Sequence, residues 1–304
     1  MSRSTGVTRP AALCLAALVG LLVAGCGVGA DDPATPPPPT ATDAPRARLV
    51  LSRDLGTVPV EPARDIAPGQ SVLDATRSLE DVRVEGGFVQ AIGGLTGSRT
   101  SPPLRDWFVS VNGLEANAGA TQLDVRDGDV VRWDYHAWSY EQTGLPGEVA
   151  DLPEPFRHGY RGRRMPLRVE ASAGLEDAAA ALATALGGET VTAAQVVAPA
   201  AAPRAAYRIR VVADRSGPDH GPVRVGADGP VRARPRAATS LVEVPSAVAA
   251  ASLEVPAGPT GPVTLWVSGL DARAARAAAR ALAMGPPPGF YGLWDAAGRL
   301  VPVP

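Results

Sequence analysis

Residues 130–138 read VVRWDYHAW and follow an Asp-Gly pair at 127–128. A run rich in β-branched and aromatic residues, entered from a turn, specifies a strand. Successive side chains of a strand point to opposite faces. Val131, Trp133 and Tyr135 therefore fall on one side, and Val130, Arg132, Asp134, His136 and Trp138 on the other. The first set suits a hydrophobic core. The second mixes charge, imidazole and indole, which suits neither a plain core nor a plain solvated surface. The chain is only 5% aromatic and holds three histidines, so this concentration is not compositional. One reading makes the mixed face a site for a large amphipathic ligand, with Trp138 stacking and Arg132, Asp134 and His136 orienting polar groups. The other makes it a rim packed against a neighbouring loop or domain. A single imidazole without nearby ligand partners is a weak metal signal, so no metal is expected there.

The segments upstream define the rest of this sheet. RLVLSRD (48–54) has strand composition, and 57–69 reads as a second extended piece ending in a turn. SVLDATRSLEDV then changes period: Val72, Ala75, Thr76 and Leu79 recur at helical spacing, with Ser71 as N-cap and Asp74 three residues on. VRVEGGFVQAIGGL, DWFVSVNGLEA and DVVRWDYHAW follow as strands, separated by Asn112-Gly113 and Asp127-Gly128 turns. Trp107 alternates with Val109 and Val111 and reads as core. Gly86-Gly87 and Gly93-Gly94 could bring backbone close to a ligand, but no helix start follows them at the spacing of a phosphate loop. Two strands, a helix and about three more strands predict an α+β roll in which a mixed sheet wraps one helix.

GGFVQAIGGL, DWFVSVNGLEANAGA and LDVRDGDVVRWDYHAW, in this order after a helix-borne SVLDA, resemble the bacterial relatives of the transcobalamin C-terminal domain, a domain of unknown function. The resemblance covers roughly Leu49 to Trp138, about a third of the chain. It implies a β-grasp-like fold and, from the animal transcobalamins and intrinsic factor, a domain that covers one face of cobalamin. Those proteins also carry a helical barrel with the cobalt-binding histidine, and no part of this sequence resembles it.

The ends of the chain address its compartment. Arg3 and Arg9 precede an uncharged run from Ala11 to Gly25. That run is shorter than the ~20 residues that span a bilayer. A basic flank, a short apolar stretch and small residues before a break describe a secretory signal. The break, Val23-Ala24-Gly25-Cys26, resembles the lipobox of bacterial lipoproteins, which implies cleavage before Cys26 and lipidation of its sulfur. Residues 1–25 are thus expected to be a signal and 26–46 an extended Pro/Thr/Ala-rich tether. Cys14 lies within the signal, so the mature chain would hold one cysteine and neither a disulfide nor a thiolate cluster. The expected location is the outer face of the cytoplasmic membrane.

About 260 residues remain, enough for two domains on the usual length prior. The first is expected at 47–141 and the second at 166–304, with a Pro- and Gly-rich break at 142–165. LPEPFRHGYRGRRMP (152–166) could be a lid, with Phe156 and His158 as further ligand contacts and His158 meeting His136. It could also be a solvated linker, or its arginines could touch anionic lipid. Beyond it, PLRVEASAGLEDAAAALATALGG and PVTLWVSGLDARAARAAARALAMG look alike, each a strand, a Gly-Leu-acid turn and an alanine-rich helix. AYRIRVVAD, GPVRVGADGPVRARP and SLVEVP read as strands between them, and 289–303 as a closing hairpin. This predicts an α/β sandwich containing a duplicated strand–helix unit, ferredoxin-like in outline. Its one histidine, His220, has no catalytic set around it.

Several function classes fall away. The net charge of −2, without a clustered basic face, argues against nucleic acid. No Ser, Cys or Thr nucleophile stands in a recognisable motif with a base, and no His/Asp/Glu group has metal spacing, so an enzyme is not expected. The leading expectation is a lipid-anchored binding protein that captures a small amphipathic ligand, a corrinoid or another vitamin-like molecule, for a membrane transporter. Its rival is a cell-surface protein-interaction module. A ligand site should be concave, an interaction module broader and flatter.

Overall fold

The computed structural model describes residues 46–100, 102–139, 147–199, 206–213, 221–226, 230–235, 240–256 and 258–304. Cys26, the expected signal, the tether up to residue 45 and His220 lie outside the described residues. Ala44–Pro304 cluster as one unit. The architecture is strand-rich α+β.

The first half runs β1 (Ala47–Arg53), β2 (Val58–Pro59), β3 (Arg64–Ile66), α1 (Val72–Arg77), β4 (Val82–Glu85), β5 (Phe88–Ile92), β6 (Leu95–Thr96), β7 (Leu104–Val111), β8 (Leu114–Glu115) and β9 (Val130–Trp138). One sheet has the order β2-β1-β9-β7-β8, with β3 also paired to β1. β1 and β9 run parallel at its centre, from Arg48 opposite Val130 to Arg53 opposite Tyr135. β7 lies antiparallel to β9 on the other side. A small antiparallel sheet, β4-β5-β6, stands beside it.

Local chemistry explains these elements. Ser71 caps α1 by accepting from the Asp74 N–H at 3.1 Å, as its spacing predicts. Asn112 and Gly113 form the two-residue turn between β7 and β8 at φ 57° and 73°, the left-handed pair that such a hairpin requires. Gly86-Gly87 and Gly93-Gly94 make the same kind of turn, joining β4 to β5 and β5 to β6. Val72, Ala75, Val131 and Trp133 share one core with Leu49 and Leu51, so α1 packs on the face of the sheet that carries the aliphatic side of β9.

The second half runs β10 (Leu167–Ala171), α2 (Glu176–Gly187), β11 (Tyr207–Ala213), β12 (Val223–Val225), β13 (Val231–Ala233), β14 (Val242–Glu243), β15 (Ala249–Glu254), β16 (Thr264–Gly269), α3 (Ala272–Met284) and β17 (Tyr291–Trp294). Its main sheet has the order β10-β11-β16-β15-β17. The two similar segments form the units β10–α2 and β16–α3, which lie parallel on either side of β11. α2 and α3 pack on each other and on β11. Alanines 178, 179 and 183 and alanines 275, 278 and 279 form their buried faces, and such small side chains let helices approach closely. The sheet is not ferredoxin-like: a split βαβ has another strand between the two strands its crossover joins, whereas β10 and β11 are direct neighbours. β12, β13 and β14 form a separate small sheet that packs with Leu55, Phe290 and Tyr291 in a second cluster.

Residues 147–165 lie against both halves. The Gly147 N–H donates to Leu253 O (3.1 Å), the Glu148 N–H to Gly113 O (2.8 Å) and the Ala150 N–H to Gly289 O (2.9 Å). Val149, Leu152, Phe156 and Tyr160 are buried in a core cluster that draws on both main sheets.

Candidate functional site

The mixed face of β9 is covered by the chain itself. Arg132, Asp134 and His136 are 6%, 0% and 1% exposed. The Arg132 Nη2 lies 2.5 Å from Asp151 Oδ1, and its Nη1 donates to Ser52 Oγ at 3.2 Å. Glu148 Oε2 lies 2.5 Å from Arg132 Nε, an ion pair without the alignment of a hydrogen bond. Burial works against the guanidinium charge, but Asp151 and Glu148 outweigh it and raise the pKa of Arg132. Burial and the neighbouring Asp151 push Glu148 well above the ordinary glutamate value despite Arg132.

Asp134 is the most saturated acceptor of this face. Its Oδ2 accepts from Ser52 Oγ and the Gly56 N–H, each at 2.7 Å, and its Oδ1 from the Leu55 N–H at 3.1 Å. His136 Nδ1 lies 2.8 Å from the same Oδ1. Burial alone would raise the carboxyl, yet the contacts from His136, Ser52 and Gly56 hold it below the usual carboxylate range. The His136 ring stacks on Phe108 at 4.3 Å and meets the edge of Phe290 at 5.5 Å. Trp138 is half-buried and lies edge-on to Phe108.

The two candidates from 152–166 occupy other places. Phe156 is 1% exposed and packs against Tyr207. The His158 side chain is exposed, with Nδ1 2.7 Å from Glu154 Oε1 and its ring over Gly128. The structure thus brings Arg132, Asp134 and His136 into one polar network, and that network joins β9 to residues 147–151 and to Phe290.

On the face that carries Trp133, the fold leaves a cleft of about 460 Å³, within the ~300–1,000 Å³ typical of small-molecule sites. Trp107 and Trp133 form its floor, Val84, Val89 and Val109 its walls, and Asn117 to Thr121 one side of its mouth. Phe88, at the start of β5, lines it while remaining 64% exposed. Both tryptophans are placed by β7 and β9, and the β4–β5 hairpin supplies Phe88. Arg99 lies over the Phe88 ring at 5.8 Å and donates from Nε to Asp106 at 2.7 Å. The pattern of residues missed this cleft because its walls are single Val and Ala positions that read as ordinary core. The one usable signal was Phe88 directly after a Gly-Gly turn.

Among the described residues no group of three or more His, Cys, Asp or Glu side chains is placed to hold a metal ion. No helix among them is long and apolar enough to cross a membrane.

Residues 69–137 match the model of a family described as a domain of unknown function, DUF4430. Every residue lining the cleft, from Leu73 to Trp133, falls inside that span. No curated protein sequence matches the chain. Among solved structures, a crystal structure from Ruminococcus gnavus ATCC 29149, described as a candidate metal-binding protein, is similar at 16% identity and a TM-score of 0.26. That match covers 31% of this chain and 99% of the other.

Proposed function

We propose that this chain is an extracytoplasmic, lipid-anchored binding protein that captures a small amphipathic ligand for a membrane uptake system. In this reading Cys26 carries the lipid and 27–46 is the tether. The segment 47–141 is a β-grasp-like, transcobalamin-like domain that holds the ligand, and 166–304 is an α/β sandwich with a duplicated strand–helix unit that braces it. The observation that carries the reading is the cleft: concave, floored by two indoles and built wholly from the DUF4430-matched residues. Ligand pockets are largely apolar with a few polar groups at the mouth, and Asn117, Thr121 and Arg99 are such groups here. The exposed ring of Phe88 favours the rival reading of a protein-docking patch. The concavity beside it favours a ligand.

Titration of the purified chain with cobalamin and cobinamide, read by tryptophan fluorescence, tests the capture. Saturable quenching that is lost in Val109→Arg supports corrinoid capture in the cleft. A flat response to these corrinoids and to a panel of other vitamin-like amphiphiles overturns the reading in favour of protein docking. The anchor is tested separately: Cys26→Ser should move the chain from the membrane to the soluble fraction.

A further inference from the structure

The cleft holds no uncompensated charge. Both indole N–H groups of its floor are used within the fold, Trp107 Nε1 on Leu95 O and Trp133 Nε1 on Thr76 Oγ1, each at 2.9 Å. With Trp107 6% and Trp133 3% exposed, the floor offers an occupant narrow ring edges and no donor. Among the described residues, Arg99 is the one ionisable side chain on the lining. Its guanidinium is ion-paired with Asp106 and lies against Phe88. Asp106 is 5% exposed while the Arg99 side chain is 44% exposed, so taking Arg99 wholly away to an external anion would leave a buried carboxylate without its counter-ion. An anionic group would thus meet a guanidinium already paired with Asp106, and a cationic group would meet no carboxylate among the described lining residues.

Among the described residues, the uncharged polar side chains of the lining, Asn117 and Thr121, stand at one side of the mouth. Asn117 Oδ1 accepts from the Tyr160 hydroxyl at 3.1 Å, which leaves the Nδ2 of Asn117 as a donor, and Thr121 is exposed. Phe88 stands on the lining as a third ring. Aromatic pairs gain from offset or edge-on contact beyond the area they bury, so a flat occupant set against the exposed Phe88 ring, over the buried Trp107 and Trp133, uses what this lining supplies.

We infer that the cleft takes an uncharged ring system, aromatic or alicyclic, with a hydroxyl or amide substituent directed to the Asn117–Thr121 side. The inference rests on the ligand-capture reading and narrows it: a charged head group stays outside. A volume of about 460 Å³ lies in the lower half of the usual ligand range. It holds a fused bicyclic or tricyclic group, and a corrin macrocycle could enter only by one edge.

Calorimetric titration of the full chain with 2-naphthol and with naphthalene-2-sulfonate tests this, because the two share a ring and differ in charge. The expected result is saturable binding of the naphthol, with the sulfonate weaker by about tenfold or more because its charge must be desolvated. Phe88→Ala should weaken naphthol binding about fivefold through the lost ring contact. Val109→Asp, which puts a charge on the wall, should abolish it, and circular dichroism of both variants identifies any that fails to fold. Equal binding of the two probes overturns the inference. So does naphthol binding that Phe88→Ala leaves unchanged. Failure of the naphthol alongside saturable corrinoid quenching overturns the ring class and leaves ligand capture standing, and failure of both overturns the two together.

Discussion

The carboxylate of Asp134 accepts the consecutive backbone N–H groups of Leu55 and Gly56, at 3.1 and 2.7 Å. Asp54, Leu55 and Gly56 all have positive φ, at 55°, 62° and 73°. Such a left-handed run is unfavourable for residues with a side chain and persists only when its surroundings fix it. Asp134 is the anion that fixes it, and the turn then receives the Phe290 N–H on Leu55 O at 3.0 Å. Asp134→Ala would leave two N–H groups, the Ser52 hydroxyl and His136 without their acceptor. The expected cost is about 3–5 kcal/mol in urea unfolding. Asp134→Asn keeps one oxygen and should cost less.

Arg132 lies against two buried acidic side chains, Asp151 and Glu148, and burial together with Asp151 pushes the Glu148 carboxyl toward its neutral form. Removing one member of a buried ion cluster is far worse than removing the cluster, because the remaining charges lose their compensation. Arg132→Met should therefore destabilise by about 3–5 kcal/mol. The triple variant Arg132→Met, Glu148→Gln, Asp151→Asn should recover a large part of that loss. Thermal midpoints of the two variants at one pH decide it: equal midpoints would sink this account of the cluster.

Two glycines, Gly159 within the 152–166 stretch and Gly128 packed against it, should respond differently to alanine. A Cβ on Gly159 would stand 2.1 Å from the Arg163 carbonyl oxygen, whereas one on Gly128 would meet the His158 ring at 2.7 Å. The first obstacle is backbone; the second is an exposed side chain that can turn away. Both residues have positive φ, so each alanine carries a backbone cost of about 1 kcal/mol. Gly159→Ala should exceed that severalfold and Gly128→Ala should stay near it, as chemical denaturation would show.

Glu115 supplies a pH test. Burial raises its carboxyl to about 8 from an ordinary value of 4.5. Between those values the folded state binds more protons than the unfolded state, so stability falls as pH rises, and the loss is complete above about 8. Glu115→Gln removes the titration. Its unfolding free energy should match that of the parent near pH 4 and exceed it by about 3–5 kcal/mol at pH 8.5, the rise from 4.5 to about 8 counted at ~1.4 kcal/mol per pH unit. A difference independent of pH would show that Glu115 ionises freely in the fold.

The cleft residues separate stability from binding. Trp107 is 6% exposed and Phe88 is 64% exposed. Trp107→Ala should cost about 3–5 kcal/mol, as for other large-to-small core changes. Phe88→Ala should stay within about 0.5 kcal/mol of the parent, as exposed substitutions do. Unfolding midpoints measured without ligand are the check.

Much of the local structure was legible in the residues. The alternation in 130–138 assigned Val131, Trp133 and Tyr135 to one face, and they are core. Asn112-Gly113 marked a hairpin, Ser71 a helix start, and the two Gly-Leu-acid segments a repeated strand–helix unit. What periodicity cannot supply is the identity of whatever lies across from a face. Arg132, Asp134 and His136 were picked out as a group, but their partners Glu148, Asp151 and Phe290 come from a segment that read as linker and from the far end of the chain. The cleft was hidden for the opposite reason. Val84, Val89 and Val109 each look like core, and only the placement of the β4–β5 hairpin beside the main sheet leaves space between them.

The central pairing of β1 with β9 also sets an order in time. Ser52 and Asp134, bonded across these strands, are 82 residues apart in the chain, and Leu55 meets Phe290 close to the last strand. Contacts of such long range form slowly, because the loops between them must close first. A nascent chain that has emerged only as far as β8 can pair β1 with β2 and β3 but leaves its β9-facing edge without a partner. A chain stopped before Phe290 lacks the residue that caps the left-handed turn at 54–56. The β1 edge therefore stays open to pairing with other chains until β9 is present, and the turn at 54–56 is completed only when nearly all of the polypeptide is.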